Sequence, residues 1–230
     1  MNDRFWLKHL VRENEFRFGL LLAGLFATLL IPPYFQDSPA FTTIWSVSFT
    51  GLLLIAIYAI GGKQKLLVPS LVLLVPALLT QWGGKFAGDN AVVFYLDNIT
   101  RICFLSFVTY HLGRYIFKAR VVSTNVIYAA MCIYLLIGFI WAAVFSNIHH
   151  YFPEAYNFAN AEMYQAIQGN IEMSHFVYFS FVTLSTLGYG DITPVHTVAQ
   201  SWAAVEAMVG QFYVAIVLAR LVGMQTSRRD

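Results

Sequence analysis

Residues 186–191 read Thr-Leu-Gly-Tyr-Gly-Asp and lie between an apolar run, Phe176 to Leu184, and the last hydrophobic segment of the chain. Two glycines separated by one residue permit backbone angles that a β-carbon opposes, so that successive carbonyls can turn toward one axis. The stretch therefore predicts a tube lined by backbone oxygens. The alternative is a tight turn that has this sequence by coincidence, since glycine-rich turns are common.

The stretch resembles the Thr-Val-Gly-Tyr-Gly filter of potassium channels, with Leu187 in place of the usual valine. Its context strengthens the resemblance, because a short helix-like segment precedes it and a membrane-spanning segment follows it. The resemblance implies that filter carbonyls and the Thr186 hydroxyl replace the hydration shell of K+. The implied K+ ligands are Thr186, Leu187, Gly188 and Tyr189, within a filter of residues 186–190 that also includes Gly190.

One chain supplies one strand of such a filter, so the resemblance implies four copies around one axis, a homotetramer. The apolar stretch at 174–186 is too short to cross a bilayer and suits a re-entrant pore helix. Such a helix would aim its carboxyl end, the negative end of its dipole, at a cation. Ser185 and Asp191 flank the filter and, together with Glu206, are predicted to support it.

Three residues before the filter depart from the potassium channel pattern. Counting back from the glycines, Tyr178 and Phe179 stand where these channels commonly have a tryptophan pair, and Val182 stands where some bacterial channels have Glu. The hydrogen bonds that hold the filter from behind in the family therefore cannot be carried over to this chain.

Composition independently indicates a membrane protein. The chain is 58% hydrophobic and 11% charged, whereas soluble domains have about 25% charged residues. Its apolar segments are each close to the roughly 20 residues that a membrane helix needs. The predicted fold is an all-α integral membrane protein with six transmembrane helices plus the re-entrant pore helix. The predicted spans are residues 18–35, 40–60, 66–82, 92–113, 124–146 and 195–223.

Three regions follow along the chain: an interfacial amphipathic helix at 1–17, a four-span peripheral domain at 18–120 and a pore domain at 121–230. We expect a multi-pass protein of the cell membrane, in contact with lipid and not with nucleic acid. Both termini should be cytoplasmic, because Lys and Arg tend to stay on that side. Of the 14 Lys and Arg residues, this orientation places Lys85 outside and Arg101 within a span, and leaves the other 12 on the cytoplasmic side, including Arg220 near the inner end of the last span.

The fourth span lacks the arginines at every third residue that voltage-gated relatives carry. It offers Arg101 and then no Lys or Arg until Arg114, whereas a steep sensor needs about three to four gating charges per subunit. Asp97 lies one helical turn before Arg101 on the same face, so we interpret the two residues as an ion pair. We therefore expect weak or absent voltage dependence.

Two residues of the last span have candidate roles. Gly210 matches, by resemblance, an inner-helix glycine proposed as a gating hinge, and the alternative is a small residue that permits close helix packing. Glu206 is an ionisable group in a membrane helix and hence a functional hypothesis. It either faces the cavity, where it would attract cations, or lies behind the filter and accepts hydrogen bonds from hydroxyls such as Thr183 or Ser185. We favour the second placement, since Glu206 should lie level with the pore helix.

The predicted function is a potassium-selective channel with passive ion flow, without a catalytic reaction and without a cofactor besides the permeant K+. A less selective monovalent cation channel is the alternative within the same class. A secondary transporter would need internal repeats and broken helices, and a membrane enzyme would need clustered intramembrane His, Asp or Glu. The two cysteines, Cys103 and Cys132, lie in apolar runs, so neither a disulfide nor a metal site is predicted.

Overall fold

The computed structural model describes residues 3–35, 38–61, 64–87, 90–159 and 173–226, with side chains described at 16–35, 38–61, 66–84, 90–159 and 173–226. Five long helices come first: α1 (Asp3–Leu30), α2 (Phe41–Ile60), α3 (Gln64–Ala87), α4 (Ala91–Lys118) and α5 (Thr124–Tyr151). Strand β1 (Tyr156–Phe158), helix α6 (Met173–Leu184), strand β2 (Ile192–Pro194) and helix α7 (Thr197–Thr226) follow.

Among the described residues, six helices, α1 to α5 and α7, contain segments that are long and apolar enough to cross a membrane. Each of the six predicted spans thus coincides with an apolar helix, and the described part of the chain, helical apart from two short strands, indicates a multi-pass membrane protein. The third span is helical although Pro69 and Pro76 lie within it. Membrane helices tolerate proline where side chains and neighbouring helices satisfy the freed backbone groups.

The first helix differs from the prediction in its boundaries. Helix α1 is continuous from Asp3 to Leu30, so the predicted interfacial helix at 1–17 and the first span share one helix. The predicted amphipathic face depends on side chains that lie outside the described residues. The chain instead turns at a 3-10 helix, Pro32–Phe35, because proline removes a backbone donor and cannot continue the hydrogen-bond pattern.

Helix α5 is the centre of the structure, since it packs against α1, α4, α6 and α7. Its Leu136, Phe139 and Phe145 side chains are at most 1% exposed. The Phe139 ring meets Phe49 of α2 at 6.5 Å and Phe181 of α6 at 5.7 Å between ring centres, both edge to face. One hydrophobic core therefore extends from the first four helices to α6. Helix α6 precedes residues 186–191, which we call the filter stretch.

Helix α4 holds a partly buried ion pair, with Arg101 buried and Asp97 half-buried. Arg101 bonds to Asp97 on the same helix, which confirms the interpretation of this pair. The Arg101 guanidinium also lies 4.7 Å from the centre of the Phe49 ring, and Thr80 of α3 donates a hydrogen bond to Asp97 at 3.2 Å. The charge of Arg101 is thus held by a carboxylate and a ring on two different helices.

Strands β1 and β2 pair antiparallel, with Phe158 opposite Ile192. Beyond the pair, the Ala159 amide donates to the Asp191 carbonyl at 2.8 Å. Residues 159–191, which include α6 and the filter stretch, therefore leave and rejoin the same two-stranded ribbon. Sequence analysis missed this ribbon because strands of three residues carry no readable periodicity.

Candidate functional site

Helix α6 positions the filter stretch. It covers Met173–Leu184, whereas 174–186 was predicted, and it ends earlier because Thr186 has a φ of +59°, outside the helical region. The Ser185 hydroxyl donates to the Phe181 carbonyl at 2.7 Å. The Phe181 carbonyl also accepts from the Ser185 amide at 3.1 Å, so the Ser185 side chain bonds back to the last turn of α6 and does not reach another helix.

Aromatic rings fix α6 against α5 and β1. The Tyr156 ring of β1 lies 5.4 Å from both Phe176 and Phe179 of α6, and Phe179 lies 4.9 Å from Phe145 of α5. Burial raises the pKa of the Tyr156 phenol above its ordinary value, so this side chain stays neutral at physiological pH. Close-packed rings of this kind give α6 a rigid support.

The backbone of the filter stretch alternates in handedness. Thr186, Gly188 and Gly190 have positive φ values of 59°, 56° and 81°, and Leu187 and Tyr189 between them do not. In an extended strand successive carbonyls point to opposite sides. When φ changes sign at every second residue, every second peptide plane is rotated, and its carbonyl then points to the same side as its neighbours. This conformation favours the single row of carbonyls expected from the two glycines.

Thr186 adopts a conformation that is unusual for a β-branched residue. Its amide donates to the Thr183 carbonyl, and the Leu187 amide donates to the Val182 carbonyl, both at 2.9 Å. The Thr186 hydroxyl accepts a hydrogen bond from the Gln211 amide of α7 at 3.2 Å. The strained turn is thus held by α6 and by a residue of α7 that sequence analysis did not single out.

Asp191 joins α6 to the start of β2. Its Oδ2 accepts a hydrogen bond from the Tyr178 hydroxyl at 2.6 Å, and its Oδ1 accepts one from the Ile192 amide at 3.0 Å. The structure therefore brings the two ends of the filter stretch onto one helix, since Thr186 is bonded to the end of α6 and Asp191 to Tyr178 on its side.

Glu206 is buried, with 0% exposure. Its Oε1 lies 2.5 Å from Ser180 Oγ, so its partner is a hydroxyl group, as predicted, but that of Ser180 and not one of the two examples, Thr183 and Ser185. Ser180 is itself fully buried where α6 meets α5, whereas Ser185 lies past the end of α6 and is exposed. Glu206 lies behind α6 in this chain and does not face its exposed surface.

Gly210 lies where α7 crosses the end of α6. A β-carbon at this position would lie 2.1 Å from the Leu184 carbonyl oxygen, far inside contact distance. This geometry favours the close-packing interpretation of Gly210, and α7 is one continuous helix through this residue. Its role as a gating hinge remains a prediction.

No metal centre is evident among the described residues, where His, Cys, Asp and Glu form no group of three or more that would hold an ion. Both cysteines are unpaired, Cys103 exposed and Cys132 buried. The oxygens that the predicted filter would offer to an ion stay those expected from the sequence, the backbone carbonyls and the Thr186 hydroxyl.

Residues 131–226 match a family model described as "Ion channel". The matched range takes in most of α5, the whole of α6, the filter stretch and α7. Helices α1 to α4 precede the matched range. A comparison with curated proteins found no match to the chain. The family match and the alternating backbone fall on the same segment, and together they indicate an ion channel domain in residues 131–226.

Proposed function

We propose that the protein is a potassium-selective channel that conducts K+ passively through a carbonyl-lined filter formed by residues 186–190. The observation that carries this proposal is the alternation of positive φ at Thr186, Gly188 and Gly190. A row of carbonyls on one side of the chain offers K+ the oxygens that replace its hydration shell.

A homotetramer is part of this proposal, because a single strand cannot surround an ion. The surface of α7 supports it: 11% of the α7 span is buried within one chain, against 56% of the α5 span. The Leu187 and Tyr189 side chains of the filter stretch are also exposed in the single chain. Four copies around one axis would cover these apolar surfaces and close the filter.

A re-entrant path for α6 and the filter is supported by the ribbon, where the segment both leaves and returns. Helix α6 has 12 residues, too few to cross a bilayer. With both termini cytoplasmic, α5 would end outside, and the ribbon would lie at the outer mouth of the pore. The carboxyl end of α6 would then point its negative dipole end toward the ion.

Reversal-potential measurements on purified protein in planar lipid bilayers test the proposal. Under opposed K+ and Na+ gradients, we expect a reversal potential near the K+ equilibrium potential. Comparable permeabilities for the two ions would instead identify a less selective cation channel. Transport that depends on the gradient of a second ion, without unitary currents, would contradict channel function altogether.

A further inference from the structure

Ser180 lies between two oxygen atoms behind the filter. Its Oγ is 2.8 Å from the Gly138 carbonyl of α5 and 2.5 Å from Glu206 Oε1 of α7. Ser180 and Glu206 are both 0% exposed. Three helices, α5, α6 and α7, thus meet at a single hydroxyl group.

Counting protons assigns the direction of these two hydrogen bonds. Each close pair of oxygens needs one proton between them, and a serine hydroxyl carries one. The Gly138 carbonyl can only accept, so the Ser180 proton goes to Gly138. The remaining proton, between Ser180 and Glu206, has to come from the carboxyl group, which is a donor only in its protonated form.

Burial leads to the same assignment. The second carboxyl oxygen, Oε2, has no hydrogen-bond partner among the described residues, and Glu206 makes no ion pair with any of them. Its hydrogen-bond partner is Ser180 of α6, and the titratable side chains that interact with it electrostatically are Tyr134 of α5 and Tyr156 of β1. None of these side chains is cationic, and an unpaired buried carboxylate costs far more than a neutral acid in the same place.

We propose that Glu206 is a protonated carboxylic acid that donates a hydrogen bond to Ser180 and thereby locks α7 to α6 and α5. Glu206 is then a positioning residue for the filter, because α6 presents the filter stretch. The sequence interpretation had Glu206 as an acceptor, and this proposal reverses that direction. The conduction test below rests on the proposed function, and the spectroscopic test does not.

Infrared spectroscopy of the full-length protein in lipid vesicles at neutral pH tests the proton directly. Wild type should show a carbonyl-stretching band of a protonated carboxylic acid that Glu206→Gln lacks. Glu154→Gln is the matched control, because Glu154 is exposed, and it should keep the band. Identical wild-type and Glu206→Gln spectra in this region would overturn the proposal.

Single-channel recording tests the positioning role. A glutamine amide also donates to Ser180, so Glu206→Gln should retain most of the open probability that Glu206→Ala loses. The expected loss in Glu206→Ala, and in Ser180→Ala, is about tenfold, the effect of removing one buried hydrogen bond. A glutamine variant as impaired as the alanine variant would contradict the proposal. If Glu206→Ala does not assemble, the infrared comparison still decides whether Glu206 is protonated. If wild type fails to conduct K+, the proposed function is refuted and the protonation of Glu206 is not.

Discussion

The hydroxyl of Tyr178 donates a 2.6 Å hydrogen bond to the carboxylate of Asp191. This bond joins the side of α6 to the residue that follows the last filter glycine. Tyr178 is one of the positions where the sequence departs from the potassium channel pattern, and here it provides a hydrogen bond to Asp191, the residue after the predicted filter. The bond should therefore limit how far the outer end of the filter can move.

Removing this bond should destabilise the conducting filter. Tyr178→Phe and Asp191→Ala should each shorten single-channel openings, by an amount corresponding to about 1 kcal/mol. The double variant should be no worse than the more impaired single variant, since each change removes the same hydrogen bond. Tyr151→Phe, at an exposed tyrosine of α5, is the control. Fully additive effects of Tyr178→Phe and Asp191→Ala would show that the two residues are not coupled.

Gly210→Ala should separate α7 from the end of α6. The new methyl group would lie 2.1 Å from the Leu184 carbonyl oxygen, so one of the two backbones has to shift. We expect a lower thermal unfolding midpoint and reduced open probability. Gly223→Ala on the same helix meets nothing within 4 Å and should be neutral or slightly stabilising. Equal midpoints for the two variants would rule out the packing role of Gly210.

Gly188→Ala should abolish conduction without preventing folding. A β-carbon at Gly188 meets no atom within 4 Å in the single chain, so within one chain the effect comes from its φ of +56°. A left-handed alanine costs roughly 1–2 kcal/mol, and the filter has to adopt this conformation in every subunit. Gly51→Ala, in the interior of α2 and also free of contacts, is the control. Wild-type currents from Gly188→Ala would place the filter elsewhere.

Voltage dependence should be weak. Arg101 is the basic residue of the α4 span that is paired and buried, and one charge crossing the whole field supplies about 2.3 kcal/mol per 100 mV. Arg101→Gln should leave the slope of the conductance–voltage relation nearly unchanged while it destabilises the protein, because Asp97 loses its partner. A steep slope that Arg101→Gln removes would make Arg101 a voltage sensor.

Gln211→Leu should alter ion binding at the Thr186 end of the filter. The Gln211 amide uses one lone pair of the Thr186 hydroxyl, so its removal frees that oxygen and releases a strained residue. We expect a change in the dissociation rate of Ba2+ applied from the cytoplasmic side, with K+ selectivity retained. Gln200→Leu, near β2 on the same helix, is the control. Unchanged Ba2+ kinetics would show that Gln211 does not contact the conducting form of Thr186.

The apolar helices and the positive φ values at the two glycines could be predicted because their signals are local. A run of about 20 apolar residues predicts a membrane helix, and glycines at 188 and 190 permit the left-handed backbone angles that the structure has there. The partner of Glu206 was not predictable in this way. Ser180, Thr183 and Ser185 are similar hydroxyl residues in the sequence, and only the packing of α6 on α5 decides which of them faces Glu206.

Gln211 was a different kind of omission. It is a polar side chain inside an apolar span, the same signal that singled out Glu206, and it could have been found. The contact of Gly210 with the Leu184 carbonyl depends on where two helices cross, which no spacing along the chain encodes.

The central position of α5 has a consequence for modularity. The Cys132 thiol of α5 donates to the Phe18 carbonyl of α1 at 3.5 Å, and Phe139 packs between α2 and α6. Residues 121–230 expressed alone would leave these buried groups uncovered, so we expect the regions on either side of residue 120 to depend on each other for folding. A chimaera that replaces α1 to α4 with helices of another channel would need matched substitutions along α5 before its pore could assemble.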